Sequence, residues 1–413
     1  MYAPMSAQPV PFSMTASPFS DNPERPKVHV AGGAGGYENT IRALANVDLS
    51  VVRNKKVLLK PNAGRMAAPG SGICTGPEVM AAAMDVFAEA GAVVHVGESP
   101  ITGVKTPEAF DITGIAAEAH RRNIPLVDMD ARPFVPVTIP DGVAINTLKL
   151  CPEMFEYDIV VSIPVMKTHM HTGVTLGVKN MKGCLWRRSK VLLHMLAPVE
   201  GFAEKPLDIA IADMSGILRP HLTIIDGTVG MEGIGPSAGS PKRLDAVVVG
   251  VDAFAADAVA CVLMGKDARN VAHLRIGASR GYGVIDPARI DVTPGFEQWA
   301  SAFADPPTDI AIGFPDFTIL DQNSCSACQS SLLLFLRLYA DRIRETLPAD
   351  SKPAFAIGKG HDTVPPGTFC IGNCTRRNRD QGRFIQGCPP VGSEILRFIT
   401  GSPYADGRSG KDD

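Results

Sequence analysis

The chain has 413 residues, 45% of them hydrophobic, and a formal net charge of -3 at pH 7. That length allows two domains, or one large α/β domain with an appendage. The near-neutral charge gives no electrostatic reason to expect nucleic acid or an acidic membrane as partner, and no apolar run reaches the roughly eighteen residues of a spanning helix.

Residues 1–25, "MYAPMSAQPVPFSMTASPFSDNPER", are rich in Pro and Ser and lack the basic-then-apolar order of a secretory leader. A disordered arm and a cytoplasmic chain are expected. In a reducing compartment, the nine cysteines argue for thiols or metal ligands rather than structural disulfides.

From about residue 27, strand-like and helix-like stretches alternate. "KVHVA" reads as a strand and "AGGAGGYENTIRALANV" as a glycine turn entering a helix. That turn lacks both G-x-G-x-x-G and the lysine-serine/threonine ending of a phosphate loop, so it carries little weight as a nucleotide site. "KKVLLKPN" is the next strand, and "TGPEVMAAAMDVFAEAG" has the Pro, Glu, apolar stripe and terminal Gly of a helix. "AVVHVGESP", "EYDIVVSIPVMKTH", "HLTIIDGTVG" and "LDAVVVGVDAFAADAVA" repeat the plan. Apolar β-branched runs separated by helices predict a doubly wound, mostly parallel sheet over 26–310.

Ligands of such sheets bind beyond the carboxyl ends of the strands. The polar strand tails fall there: Lys60 and Asn62, Glu98 and Ser99, Lys167 and His169, and Asp226. An acidic side chain at a strand tip can act as a general base or orient a lysine. Lys167, His169 and Glu98 are the catalytic candidates. Lys60, Asn62, Lys179, Asn180 and Asp226 are the candidates for holding a small anionic substrate, because Lys179 and Lys182 share a helical face that suits a carboxylate or phosphate. His169 and His171, two apart on an extended segment, face the same way and could share a metal, although a metal-free polar loop is the simpler reading. Asp252 and Asp257 are expected to cap or decorate the helix in which they lie. Cys74 and Cys184 are secondary candidates, since lone cysteines usually pack.

"VLLKPNAG", "GICTGPEVMAAAMDVFAEAGA", "VGESP" and "VMKTHMHTGVTLGVKNMKGCL" resemble, in that order, the motifs of the family called domain of unknown function 362. The similarity runs from about residue 27 to about residue 265. Many members resemble iron–sulfur proteins, often with a ferredoxin-like tail of closely spaced cysteines, so the resemblance implies a redox protein. The cysteines here are dispersed around a long helix, without the compact C-x2-C-x2-C-x3-C-P run.

Beyond a connector near 295–318 the composition changes. A smaller cysteine-rich α+β module is expected over 311–400, followed by a tail at 401–413. It contains Cys325, Cys328, Cys370, Cys374 and Cys388. A Cys-x2-Cys loop can aim two thiolates at one centre, and two such elements give four ligands. A [4Fe–4S] cluster fits soft thiolates, and the Pro after Cys388 resembles the last ligand of bacterial ferredoxins. Cys325, Cys328, Cys374 and Cys388 are the preferred ligands because each lies in a glycine-rich or polar turn. Cys370, in "GTFCIG", is held in reserve because it reads as a strand residue. A four-thiolate zinc site and a redox dithiol are the alternatives. The arginines at 376, 377, 379 and 383 form a solvated loop or a landing place for an acidic redox donor protein.

Overall fold

Strand runs of Val, Ile and Leu that are apolar at every position must be covered on both faces, and this requirement shapes the larger part of the fold. The computed structural model describes residues 8–306, 314–348 and 351–401. The chain divides into two units, one of Met1–Leu193 with Ala197–Pro306, the other of His194–Leu196 with Pro307–Asp413.

The first unit contains β1 (Lys27–Gly32), β2 (Lys56–Pro61), β3 (Val93–Glu98), β4 (Leu126–Asp128), β5 (Val135–Thr138), β6 (Thr147–Leu150), β7 (Ile159–Ile163), β8 (Val165–His169), β9 (Gly173–Thr175), β10 (Leu222–Glu232), β11 (Ser240–Gly250) and β12 (Asp291–Val292). The main sheet runs β12-β1-β11-β10-β7-β2-β3-β4, with β8 beside β10 and β9 beside β8. The β10-β7-β2-β3-β4 stretch is parallel throughout, while β11 lies antiparallel to both β10 and β1. The sheet is therefore mixed but mostly parallel, as the alternation of elements implies. β5 and β6 form a separate antiparallel hairpin.

One face of the sheet presents Val57, Leu59, Val96, Val161, Ile224 and Val249 to the helices Gly35–Leu44 and Pro77–Glu89, where Leu44, Val79, Met80 and Phe87 complete the core. Leu58, Val160 and Val248 alternate to the opposite face and are buried as well. Strands β2, β3 and β4 progress to one side, whereas β7 takes its place on the other side of β2. The order of the sheet thus reverses between β2 and β7, and the carboxyl ends of strands at such a reversal are where the ligand crevice of these sheets lies.

The arm expected to be disordered over 1–25 differs in its described part. Val10 donates its N–H to the Pro136 carbonyl and Met14 to that of Ile217. Met14 and Phe19 are buried. Enough apolar side chains punctuate this Pro- and Ser-rich stretch to hold it against the first unit. Residues 1–7, and the tail beyond residue 401, lie outside the described residues.

The second unit has β13 (Thr318–Asp321), β14 (Ala354–Ile357), β15 (Phe369–Ile371) and β16 (Arg383–Ile385), paired in that order and all parallel. An α+β module was the expectation; the strands are parallel because every connection crosses back before pairing, the first through the helix Ser326–Thr346. That helix and the helix Gly392–Thr400 bury Leu332, Phe335, Leu336, Ile395 and Ile399 with Phe355, Phe369 and Ile371. Phe335 is fully buried, with ring centroids 6.1 Å from Phe355 and 5.7 Å from Tyr339. Phe335→Ala is expected to destabilise this unit by about 3–5 kcal/mol, read as a lowered urea midpoint for a probe placed in the second unit.

Candidate functional site

The carboxyl ends of β2 and β3 carry a buried ion pair. Lys60, on the same face as Leu58, donates from Nζ to Glu98 Oε2 at 3.0 Å, and the two side chains are 0% and 3% exposed. The same ammonium donates to the Pro61 carbonyl at 3.0 Å and to Asn180 Oδ1 at 3.3 Å. The Glu98 carboxylate also accepts the N–H groups of Ser99 at 2.8 Å and Ala63 at 3.2 Å. Glu98 is thus occupied in orienting a lysine, the second of the two roles open to an acid at a strand tip. Gly183 packs directly on this pair. A Cβ there would collide with Lys60 Nζ and lie 2.6 Å from Glu98 Oε1.

Asn180 ties the pair to the rest of the crevice. Its amide donates to the Lys60 carbonyl and to Ser162 Oγ, and its oxygen accepts from Asn62 Nδ2 at 3.2 Å. Asn62 Oδ1 in turn accepts from Lys167 Nζ at 3.2 Å, and Lys167 also donates to the Ile73 carbonyl at 2.7 Å. Five of the residues expected at the site, Lys60, Asn62, Glu98, Lys167 and Asn180, therefore form one hydrogen-bonded chain across the switch point.

Lys179 lies on the helix Gly177–Asn180, one residue from Asn180. It is buried and donates to Thr175 Oγ1 at 3.1 Å. Desolvation lowers its pKa well below the usual lysine range, and the like charges of Lys182 and Lys167 push the same way. Desolvation also brings Lys167 down to about 8 and Lys182 to about 7.

The first residues of the helix bearing Lys179 abut Asp257. Its carboxylate accepts Gly177 N–H at 2.7 Å and Val178 N–H at 3.0 Å. Burial raises Asp257 to about 8, while these two amides pull it the other way. Asp252 does cap the helix Ala253–Leu263, accepting from Phe254 and Ala255. Asp257, expected to serve that same helix, instead reaches out of it to start another.

Two expected residues are placed differently. Asp226, predicted to contact substrate, has both oxygens engaged: Oδ2 accepts Gly76 N–H at 2.7 Å and Oδ1 accepts the Thr228 amide and hydroxyl. It anchors the entry to the helix Pro77–Glu89. His169 turns Nδ1 to the His171 amide at 3.1 Å, and the two rings lie edge to face at 5.6 Å, so that nitrogen is directed at backbone. Among the described residues, no three His, Cys, Asp or Glu side chains converge on a point able to hold one metal ion.

Beside Glu98 sits a cluster that the sequence patterns did not single out. Ser99 Oγ donates to Asp130 Oδ1 at 2.6 Å and is contacted by Lys190 Nζ. Lys190 also approaches Asp130 at 3.8 Å. Ser99 was visible next to Glu98 in "GESP", but Lys190 comes from the single-turn helix Ser189–Leu192 and Asp130 from a turn, both too short to show periodicity. Cys184, a secondary candidate, is buried nearby with its thiol pushed up to about 12 by desolvation. Cys74 is partly buried and donates its S–H to the Arg65 carbonyl at 3.3 Å.

In the second unit, Cys325 precedes the helix Ser326–Thr346 and Cys328 lies in its first turn. The Cys328 thiol donates to the Cys325 sulfur, which pulls Cys325 down to about 6 and pushes Cys328 up. Cys328 also feels the charges of Cys374 and Cys388. Cys370 is apart from this group: it is on β15, its thiol facing the carbonyls of Thr368 and Asn378.

Residues 57–262 match the family model described as domain of unknown function (DUF362). The DUF362 segment begins in β2 and closes within the helix that carries Asp257. It includes every residue of the hydrogen-bonded chain and none of the five cysteines of the second unit. The thylakoid-associated protein sll1697 of Synechocystis sp. (strain ATCC 27184 / PCC 6803 / Kazusa) is 32% identical over 214 residues, 51% of this chain and 64% of that protein. The chain thus spans less than two thirds of that relative's length. Two solved structures show remote likeness. One, a structural-genomics protein from Thermotoga maritima, has a TM-score of 0.35 at 16% identity, covering 55% of this chain and 57% of that one. The other, the lactate racemase apoprotein from Thermoanaerobacterium thermosaccharolyticum, has a TM-score of 0.37 at 14% identity, covering 86% and 73%. No helix among the described residues is long and apolar enough to cross a membrane.

The buried amine of Lys167 leads to a pH dependence. The folded chain titrates Lys167 at about 8, against a usual value of 10.5, so it binds fewer protons than the unfolded chain between those values. Its stability therefore rises with pH in that window. Lys167→Met removes the effect. The stability of wild type minus variant is expected to increase with pH from 8 to 10.5, by at most about 1.4 kcal/mol per pH unit. Urea midpoints of both proteins across that range check it, and a pH-independent difference counts against a buried cation.

Proposed function

We propose that this chain is an iron–sulfur oxidoreductase, with a [4Fe–4S] cluster held by the second unit and a small anionic substrate bound at the switch point of the first. The observation that carries the cluster assignment is the grouping of Cys328 with Cys325, Cys374 and Cys388 while Cys370 faces backbone carbonyls elsewhere. The donor set is all sulfur, which suits iron–sulfur chemistry. Around a single zinc ion, with Zn–S bonds of about 2.3 Å, four sulfurs would have to converge tightly. In a [4Fe–4S] cluster the four sulfur ligands sit on separate irons. Gly372, at φ +90, leaves the backbone close to the group; a Cβ there would stand 3.4 Å from Cys328 Sγ.

Bound there, the cluster would supply one-electron transfer. The chain's own residues supply the rest. Lys60 and Glu98 set the floor of the crevice, Asn62 and Asn180 hold its amides in place, and Lys167, buried with a depressed pKa, is the group suited to move a proton at a substrate. His169 stays a candidate in that step, at the end of the same strand. Electrons would come from a redox donor protein with an acidic surface.

A second reading, a non-catalytic electron-transfer protein, is favoured by the exposed Arg376 and Arg379 between Cys374 and Cys388. A cytoplasmic placement belongs to either reading and rests on the free thiols; the relative's name associates that protein with thylakoids.

Anaerobically purified protein is expected to be coloured and to carry iron and sulfide. Cys328→Ala should abolish the chromophore, and Cys370→Ala should leave most of it. Colourless protein with stoichiometric zinc, or bleaching by Cys370→Ala, would overturn the assignment.

A further inference from the structure

The first turn of the helix Ser326–Thr346 brings two thiols together. Cys325 immediately precedes the helix, and the Cys328 N–H donates to its carbonyl at 3.1 Å. A closed turn of that kind keeps its end Cα atoms within about 7 Å, in the range that a disulfide bridges. The Cys328 thiol already donates to the Cys325 sulfur. Neighbouring groups fix the turn at three points. Ser326 Oγ meets His194 Nδ1 at 2.8 Å, Gln329 Nε2 donates to Asp321 Oδ2 at 2.7 Å, and Ser331 Oγ donates to the Pro390 carbonyl at 2.8 Å. The two sulfurs differ in access. Cys328 is 4% exposed, and a Cβ on Gly372 would lie 3.4 Å from its sulfur, so the Gly372 backbone covers it. Cys325 is half-buried. Cys370 faces carbonyls elsewhere, and Cys374 and Cys388 lie on loops after other strands.

We propose that Cys325 and Cys328 are a modification site for small disulfides such as glutathione disulfide, and that the reversible disulfide they form gates loading of the cluster. The Cys325 thiolate attacks one sulfur of the small disulfide, whose S–S bond breaks and releases one thiolate. Cys328 gives its proton to that thiolate and attacks the Cys325 sulfur. The second thiolate is expelled and takes the proton first lost by Cys325. Two protein thiols are thus oxidised by two electrons, and one small disulfide is reduced to two thiols. Access sets the order: the half-buried Cys325 meets the reagent, and the covered Cys328 resolves the mixed disulfide. Once oxidised, the pair has no thiolate to offer iron. The gate rests on the reading of these cysteines as cluster ligands, whereas the disulfide stands without it.

The test uses full-length protein, reduced and stripped of metal with a chelator, then incubated with glutathione disulfide. Remaining thiols are alkylated in denaturant and mapped by mass after trypsin. No Lys or Arg separates Cys325 from Cys328, so both fall in one peptide, which is expected to lose two hydrogens and resist alkylation. Cys328→Ala should stop with glutathione held on Cys325. Cys325→Ser, at a half-buried position, should leave Cys328 a free thiol. A disulfide from either cysteine to Cys374 or Cys388, glutathione persisting on wild-type Cys325, or a fully reduced peptide would overturn the proposal. For the gate, reduced and oxidised samples are mixed anaerobically with ferrous iron and sulfide. The oxidised sample should colour only after a lag that prior treatment with a phosphine reductant removes. Equal rates of colouring would overturn the gate. A reduced sample that never colours would instead remove the cluster reading and leave the disulfide, read by mass, in place.

Discussion

The Lys60–Glu98 ion pair at the carboxyl ends of β2 and β3 organises everything around the crevice. Two opposite charges are removed from water at 3.0 Å, where their attraction roughly offsets the loss of hydration. Their value therefore lies in what they fix. The pair draws Ala63, Ser99, Pro61 and Asn180 into one hydrogen-bonded set, and Gly183 must stay without a side chain for the set to close. Removing one partner of such a pair typically costs about 3–5 kcal/mol, because the other charge is left buried. The pair is better understood as specifying the crevice's geometry than as stabilising the fold.

Asn180 and Asp257 extend that geometry into the helix Gly177–Asn180. A four-residue helix has little stability of its own, since nucleating it costs more than its few hydrogen bonds return. Here Asp257 satisfies the amides at its start and Asn180 bonds back to Ser162 and the Lys60 carbonyl at its end. Pinned at both ends, it can hold Lys179 in a region where an ammonium is poorly solvated.

Much of the crevice was legible in the sequence, because strand tips are marked by the change from an apolar run to polar residues. "KPN", "GES" and "KTH" each end a strand in this way, and the sheet order brings their tips together. What was not legible depends on pairings far apart in the chain. Asp257 looks like a cap for its own helix until the fold sets Gly177 beside it. Asp226 has the profile of a site residue, but its oxygens are taken by Gly76 and Thr228. Lys190 lies in a four-residue helix and Asp130 in a turn, too short to give a periodic signal. In the second unit, "GTFCIG" marked Cys370 as a strand residue by its β-forming neighbours, and β15 includes it. The parallel arrangement of that unit was missed because its last strands are only three residues long.

The DUF362 match begins at residue 57 and ends at 262, leaving β1 and β12 outside it. β1 lies along Ala246–Gly250 of β11, and β12 continues the sheet beyond β1. Without them, the apolar run of β11 would be the border of the sheet, with a row of unpaired amides and carbonyls ready to template another chain. The flanking sequence, remote from the crevice, thus supplies the hydrogen-bonding partners that this border of the sheet requires. Part of the backbone pairing of the matched segment is therefore completed by residues that the match leaves out.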